Sequence, residues 1–170
     1  MATIVIASTY SHLFGEEIIR FRYPALAGDI DDITHLQVPL PTASKEKTKI
    51  GKLVYRGDNF NPAIADHLRA RGWQPSRLPY GGEVDFVKER VGMEVQFGKY
   101  SFVAYDLTKL QDLFALDLID VGVELMPSAS LRAKMYTGVP SFNSEVSRLQ
   151  ARGRNQPPMP LWLIGVDVSQ

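Results

Sequence analysis

The 170-residue chain is 45% hydrophobic and 22% charged, with 19 basic residues against 19 acidic ones. Those values describe one globular domain with a substantial core, and a formal charge of zero argues against a general binder of polyanions. Cysteine is absent, which excludes disulfides and thiolate-held zinc or iron-sulfur centres. No basic region precedes the apolar run at the amino terminus and no run reaches membrane-spanning length, so the expectation is a cytoplasmic protein with no membrane partner.

In chain order, residues 11–23 carry Leu13, Ile18, Ile19 and Phe21 and predict a helix that ends before Pro24. The Asp31-Asp32 pair reads as a helix start or an exposed turn, and Pro39 and Pro41 predict a loop over 38–43. Lys45, Lys47, Lys49, Lys52 and Arg56 then surround the single acid Glu46. Smaller basic clusters follow at Arg69, Arg71 and Arg77, and at Arg148, Arg152 and Arg154. A solvated face and a local polyanion contact both fit such runs. Asn61 before Pro62 predicts a helix start, with Gly72 as the stop, Ile64 and Leu68 inward and Arg69 and Arg71 outward.

Residues 83–97 predict two short strands joined by a charged, glycine-bearing turn. Beyond them, Leu107, Leu110, Leu113 and Phe114 recur at helical spacing and predict a helix over 102–116. Residues 119–125 alternate as a strand, 127–142 form a long loop rich in Ser, Pro and Gly, a short helix spans 143–152, and 161–166 form a buried strand. With no repeat or linker, the chain reads as one α/β or α+β domain of 1–170 with a mixed central sheet flanked by helices. Trp73 and Trp162 read as core, and His12, His35 and His67 as surface or capping residues.

The chemistry concentrates in 83–97. Alternation places Val84 and Phe86 on one face with Met93, Val95 and Phe97, and Asp85, Glu94 and Gln96 on the other. Two carboxylates held side by side repel unless a cation lies between them, and a divalent metal ion is the obvious one. A solvated polar face explains the same alternation, and spacing alone does not choose.

A strand Asp followed by a second strand bearing Glu-x-Lys, or a variant, is the pattern of the PD-(D/E)xK nucleases, and Asp85 with Glu94-Val95-Gln96 fills it. Residues 85–88 and 94–107 closely resemble the type II restriction endonucleases of the BstYI/BglII kind. The similarity extends to residues 10–13, 44–49, 119–124 and 161–166, nearly the whole chain. The chain departs by being much shorter between Arg77 and Asp85 than BstYI, lacking an inserted subdomain there.

The resemblance implies a restriction-endonuclease-like core and a homodimer that cuts double-stranded DNA with Mg²⁺. The implied site is a palindromic hexamer centred on GATC, RGATCY-like, cut before the G to leave 5′ GATC overhangs. Asp85 and Glu94 would hold the metal with the carbonyl of Val95, and Gln96, standing where the motif has lysine, would orient the attacking water. Similarity also brings Ser76 toward the site. Lys45, Lys47, Lys49 and Lys52 would contact the phosphate backbone, while Lys99, Thr137 and Ser141 face bases, the last two within a recognition loop at 127–142. A surface lysine beside a glycine is the alternative for Lys99. Two other functions fit the residues: a structure-selective or repair nuclease of the same fold, and a non-catalytic dimeric DNA-binding module.

Overall fold

A strand that is apolar on both faces requires cover on both sides, and this requirement organises the molecule. The computed structural model describes residues 1–169. Its strands are β1 (Ala2–His12), β2 (Gln37–Val38), β3 (Thr42–Ala43), β4 (Leu53–Val54), β5 (Gln74–Arg77), β6 (Glu83–Lys88), β7 (Val91–Val95), β8 (Val121–Pro127) and β9 (Leu161–Ser169). The helices are α1 (Gly15–Arg22), α2 (Pro24–Asp31), α3 (Gly57–Ala70), α4 (Val103–Ala115), α5 (Ala129–Ala133) and α6 (Phe142–Arg152). Seven strands form one sheet in the order β2-β1-β9-β8-β7-β6-β5, and β3 pairs with β4 apart from it. The β7–β8 and β8–β9 ladders are parallel and the rest antiparallel, which gives the expected mixed sheet.

Alternate residues of β9 serve different cores. Trp162, Ile164 and Val166 pack with Ile19, Leu26, Ile30, Phe60 and Leu68 from α1, α2 and α3. Leu161 and Leu163 pack with Leu107, Leu110 and Leu113 of α4 and with Phe142 and Leu149 of α6. Fully burying one such side chain contributes about 1.5–3 kcal/mol, so β9 ties both helical layers to the sheet. Gly92 of β7 and Gly122 of β8 are register partners beneath α4. A Cβ on Gly92 would stand 3.0 Å from Leu110 Cδ2, and one on Gly122 would stand 3.2 Å from Leu110 Cδ1. The two bare positions let α4 lie close to the sheet.

Several local expectations change. Residues 2–12 form β1, so the helix expected over 11–23 does not begin at Ser11, and α1 is confined to Gly15–Arg22. The strand's alternation is hidden by a register shift between Ile6 and Ser8. α3 begins at Gly57, so Pro62 lies inside it and Asn61 is not its cap. The hairpin turn is Glu89-Arg90, with Glu89 at φ 51°, and Gly92 belongs to β7. The 127–142 segment is not all loop, since it contains the end of β8 and α5. His12 and His67 are buried, their Nε2 atoms 2.8 Å from Pro157 O and 2.7 Å from Asp29 O. Asp31 and Asp32 are paired with Arg20 and Arg71. Both tryptophans are core. Among the described residues no helix is long and apolar enough to cross a membrane.

Candidate active site

The site begins with a bulge. Between the pairs Gln74–Val87 and Ser76–Val84, β6 carries one residue more than β5, and an extra residue re-aims the side chains beside it. Val84 consequently joins the core under α4, whereas Phe86 packs on the opposite side of the sheet. The expectation that Val84 and Phe86 share a face is therefore corrected. Asp85, between them, accepts a hydrogen bond from the Val95 N–H at 3.0 Å through Oδ2. That bond crosses from β6 to the end of β7 and fixes the carboxylate beside Glu94 and Gln96.

Glu94 and Gln96 are buried. The Gln96 amide is held at both ends: its Nε2 donates to Asp106 Oδ2 at 2.5 Å, and its Oε1 accepts from the Gly98 N–H at 2.9 Å. Lys109, one turn beyond Asp106 on α4, places Nζ 2.7 Å from Glu94 Oε1 and 3.0 Å from Asp106 Oδ1. The same ammonium donates to the Glu83 carbonyl at 2.9 Å. The contact to Glu94 is a close charge pair without hydrogen-bond alignment, so Glu94 Oε1 has no hydrogen-bond partner. Asp106 and Lys109 are absent from the sequence-based site. Their signal lay in α4 itself, where an Asp and a Lys three apart border the Leu107, Leu110, Leu113 stripe.

Charge in this pocket is expensive. Burial first, then the neighbouring Asp85 charge, pushes Glu94 up to about 10, and Lys109 only partly opposes the shift. Burial also raises Asp106 against the pull of Lys109 and Gln96. For Lys109, burial acts downward, but Glu94 and Asp106 outweigh it and leave the ammonium favoured. On the adjacent strand Glu124 is in register with Glu94, fully buried and without a hydrogen bond to either oxygen. Burial, then Glu145, raises it well above the carboxylate range.

Asp85 and Glu94 are hard oxygen donors whose mutual repulsion a small divalent cation would relieve. No cluster of three or more His, Cys, Asp or Glu arranged for a metal occurs among the described residues. Mg²⁺ needs only one or two protein carboxylates and fills its shell with water and phosphate, so this donor set fits it. Ser76 lies on β5, half-buried and in register with Val84, one residue from Asp85.

The candidate DNA-contacting residues divide. Lys45, Lys47, Lys52 and Lys99 are exposed. Lys49 instead donates to the carbonyls of Met135 and Ala133 and secures the lysine-rich segment to the following loop. Glu46 completes the tie by accepting from the Thr137 N–H at 3.0 Å and hydroxyl at 2.7 Å. The lysine-rich segment and the Thr137 loop, 91 residues apart in sequence, are thereby one surface. Lys99, Glu46, Tyr136 and Thr137 border one cleft of about 300 Å³ on it. Ser141 is elsewhere engaged: it is buried and caps α6 by accepting from the Ser144 N–H.

A mixed sheet carrying an Asp, Glu and Gln set at the end of a hairpin, with helices on both faces, is the architecture of a restriction-endonuclease-like nuclease. The family described as "Restriction endonuclease BglII/BglIII" matches residues 7–166, and the chain belongs to it. The chain is 30% identical over 152 residues to the type II restriction enzyme BglII of Bacillus subtilis. That alignment covers 85% of this chain, and the chain spans 65% of the relative's length. The fold matches the crystal structure of BglII complexed with a DNA 16-mer at a TM-score of 0.80 and 18% identity, covering 95% of this chain and 77% of that one. Free BglII matches at 0.68 and 16% identity, covering 95% and 78%.

Proposed function

We propose that this protein is a type II restriction endonuclease that acts as a Mg²⁺-dependent homodimer on double-stranded DNA. Its proposed site is a palindromic hexamer centred on GATC, RGATCY-like, cut before the G to leave 5′ GATC overhangs. The observation that carries the reading is the convergence of Asp85, Glu94 and Gln96 at one end of the β6–β7 hairpin in a member of this family. A cytoplasmic location goes with a double-stranded DNA substrate.

The residues suit phosphodiester hydrolysis. Bound Mg²⁺ would supply Lewis acidity toward the scissile phosphate and lower the pKa of a water. Asp85 and Glu94 are the ligands proposed for it, with the carbonyl of Val95. Gln96 cannot act as a base at neutral pH. Its amide, fixed by Asp106 and Gly98, keeps one N–H and one lone pair for ordering the attacking water. Ser76 is proposed to approach the same phosphate from β5. Lys45, Lys47 and Lys52 are assigned to the phosphate backbone and Lys99, Thr137 and Ser141 to bases. Ser141 would have to reach DNA from its capping position, and Thr137 would have to exchange its bond to Glu46. A two-fold symmetric site requires a two-fold symmetric protein, hence the dimer.

Digestion of a plasmid of known sequence, with Mg²⁺ and then with EDTA, followed by sequencing of the ends, tests the proposal. A fixed fragment ladder with 5′ GATC ends that disappears in EDTA supports it. Mg²⁺-dependent cutting without a ladder would instead identify a structure-selective or repair nuclease. DNA binding without cutting would identify a non-catalytic module.

A further inference from the structure

We infer that Asp106 and Lys109, three residues apart on α4, are positioning residues of the cleavage site: Lys109 supplies from the helix the positive charge that position 96 lacks, and Asp106 sets the Gln96 amide. The inference rests on the reading of Asp85, Glu94 and Gln96 as the hydrolytic set.

The geometry leaves these two residues little other use. Lys109 is 6% exposed although lysine ordinarily reaches solvent. Its ammonium contacts Glu94, Asp106 and the Glu83 carbonyl. One of its N–H donors bonds the Glu83 carbonyl, and the carboxyl oxygens of Glu94 and Asp106 stand 2.7 and 3.0 Å from the same nitrogen. Those partners come from both strands of the catalytic hairpin and from the helix, so one charge braces the three elements that form the site. Asp106 links the same charge to Gln96. An amide can present its oxygen or its nitrogen in either direction, and a carboxylate on one side with a main-chain N–H on the other permits a single orientation. The group that orders water is thus set by residues that do not touch the substrate.

Electrostatics separates the two roles. Asp85, Glu94 and Asp106 lie where a DNA phosphate must approach, and Lys109 is the cation buried among them. Removing Lys109 makes the metal-free pocket more repulsive to DNA, whereas removing the Asp106 charge makes it less so. Both changes disturb the placement of a reacting group, and loss of a well-placed polar group costs about 10²–10³-fold in rate.

The test uses the full chain with Lys109→Met, Lys109→Arg, Asp106→Asn and Asp85→Ala, each checked for folding by circular dichroism. Affinity for a duplex containing the site is measured in EDTA, and single-turnover cleavage in Mg²⁺. Lys109→Met should weaken binding in EDTA severalfold and slow cleavage about 10²-fold, while Lys109→Arg recovers most of both. Asp106→Asn should tighten binding in EDTA and still slow cleavage. Opposite shifts in binding with a shared loss of rate are not expected of residues that merely stabilise the fold. Wild-type cleavage rates in folded Lys109→Met and Asp106→Asn, or binding shifts of one sign in both, would overturn the inference. Should Lys109→Met fail to fold, Asp106→Asn decides by the same two readouts. If Asp85→Ala still cuts, it is the hydrolytic assignment that fails; if Asp85→Ala is inactive while the α4 variants are normal, only the present inference does.

Discussion

Gly92 and Gly122 face each other across the β7–β8 ladder, and Leu110 of α4 reaches over both, sharing with Ile119 the space above Gly92 and with Met159 the space above Gly122. Leu110 neighbours Lys109, so the closeness of helix to sheet also sets the reach of the ammonium to Glu94. Gly92→Val should therefore destabilise the protein by about 1–3 kcal/mol through overpacking. It should also slow cleavage more than it weakens DNA binding. Urea unfolding and single-turnover assays on one preparation check this, and an unchanged rate in a folded variant would refute the coupling.

Replacing Asp85 or Glu94 by Ala should abolish cleavage, with a loss of at least about 10³-fold in rate. Asp85→Ala also removes negative charge from a pocket that receives phosphate, so its duplex affinity in EDTA should be retained or improved, whereas Glu94→Ala, at a carboxyl that burial holds toward its neutral form, should leave that affinity little changed. Gel-shift titration beside a cleavage time course measures both. Continued cutting by either variant would remove that carboxylate from the proposed mechanism.

Glu124 yields a prediction about pH. Burial raises its pKa in the folded state, and in the unfolded chain it ionises as an ordinary carboxylate. The native protein then binds the extra proton, so this group's contribution is intact below the unfolded pKa and is lost as pH rises above it. Glu124→Gln needs no proton. The variant should match wild type near pH 4 and gain relative stability at about 1.4 kcal/mol per pH unit above the carboxylate range. Paired denaturation curves between pH 4.5 and 7 test the slope. A pH-independent difference would mean that Glu124 is not held neutral.

The Glu46–Thr137 tie predicts a change in local opening. Hydrogen bonds from the Thr137 hydroxyl and N–H hold Glu46 below its ordinary pKa. The tie is therefore complete above the carboxylate range and is lost as pH falls through the folded value. Glu46→Ala should expose Lys45, Lys47 and Lys52 to trypsin severalfold faster at neutral pH while the sheet stays resistant. Mass-spectrometric timing of the first cuts gives the result. Equal rates in variant and wild type would show that Lys49 and the β3–β4 pair suffice to hold the segment.

Exposed lysines that meet phosphates should reveal themselves through salt. Replacing Lys45, Lys47 or Lys52 by Ala should lower the slope of log affinity against log salt by about 0.9 each, uniformly across DNA sequences. Lys99→Ala should instead relax discrimination at one base pair by about 1–3 kcal/mol. Binding isotherms at several salt concentrations on cognate and altered duplexes separate the two classes.

The parts of the molecule with regular periodicity were readable in advance. The hairpin bearing Asp85 and Glu94 follows from alternation, helix α4 from helical spacing, and the buried strand β9 from its near-continuous apolar run. β1 did not, because its register shift near Ile6 breaks the two-residue rhythm. The bulge at Asp85 hid Val84's true face for the same reason. Asp106 and Lys109 escaped because an amphipathic reading turns charged helix residues toward water, whereas here each is satisfied by another charge inside the protein. Ser141 had two local uses open to a serine, and its capping bond to Ser144 occupies it in the fold. Long-range ties such as Glu46 to Thr137 have no periodic signature at all.

The sheet order places the last strand, β9, in its interior between β1 and β8. During synthesis the chain that has emerged up to residue 160 carries two facing open edges, with Trp162 and its neighbours still to be delivered. The keystone of the sheet is thus made after every strand it joins. The nascent chain stays without its closed scaffold until residues 161–169 have emerged, and any message truncated before Leu161 yields a sticky, unclosed half-sheet.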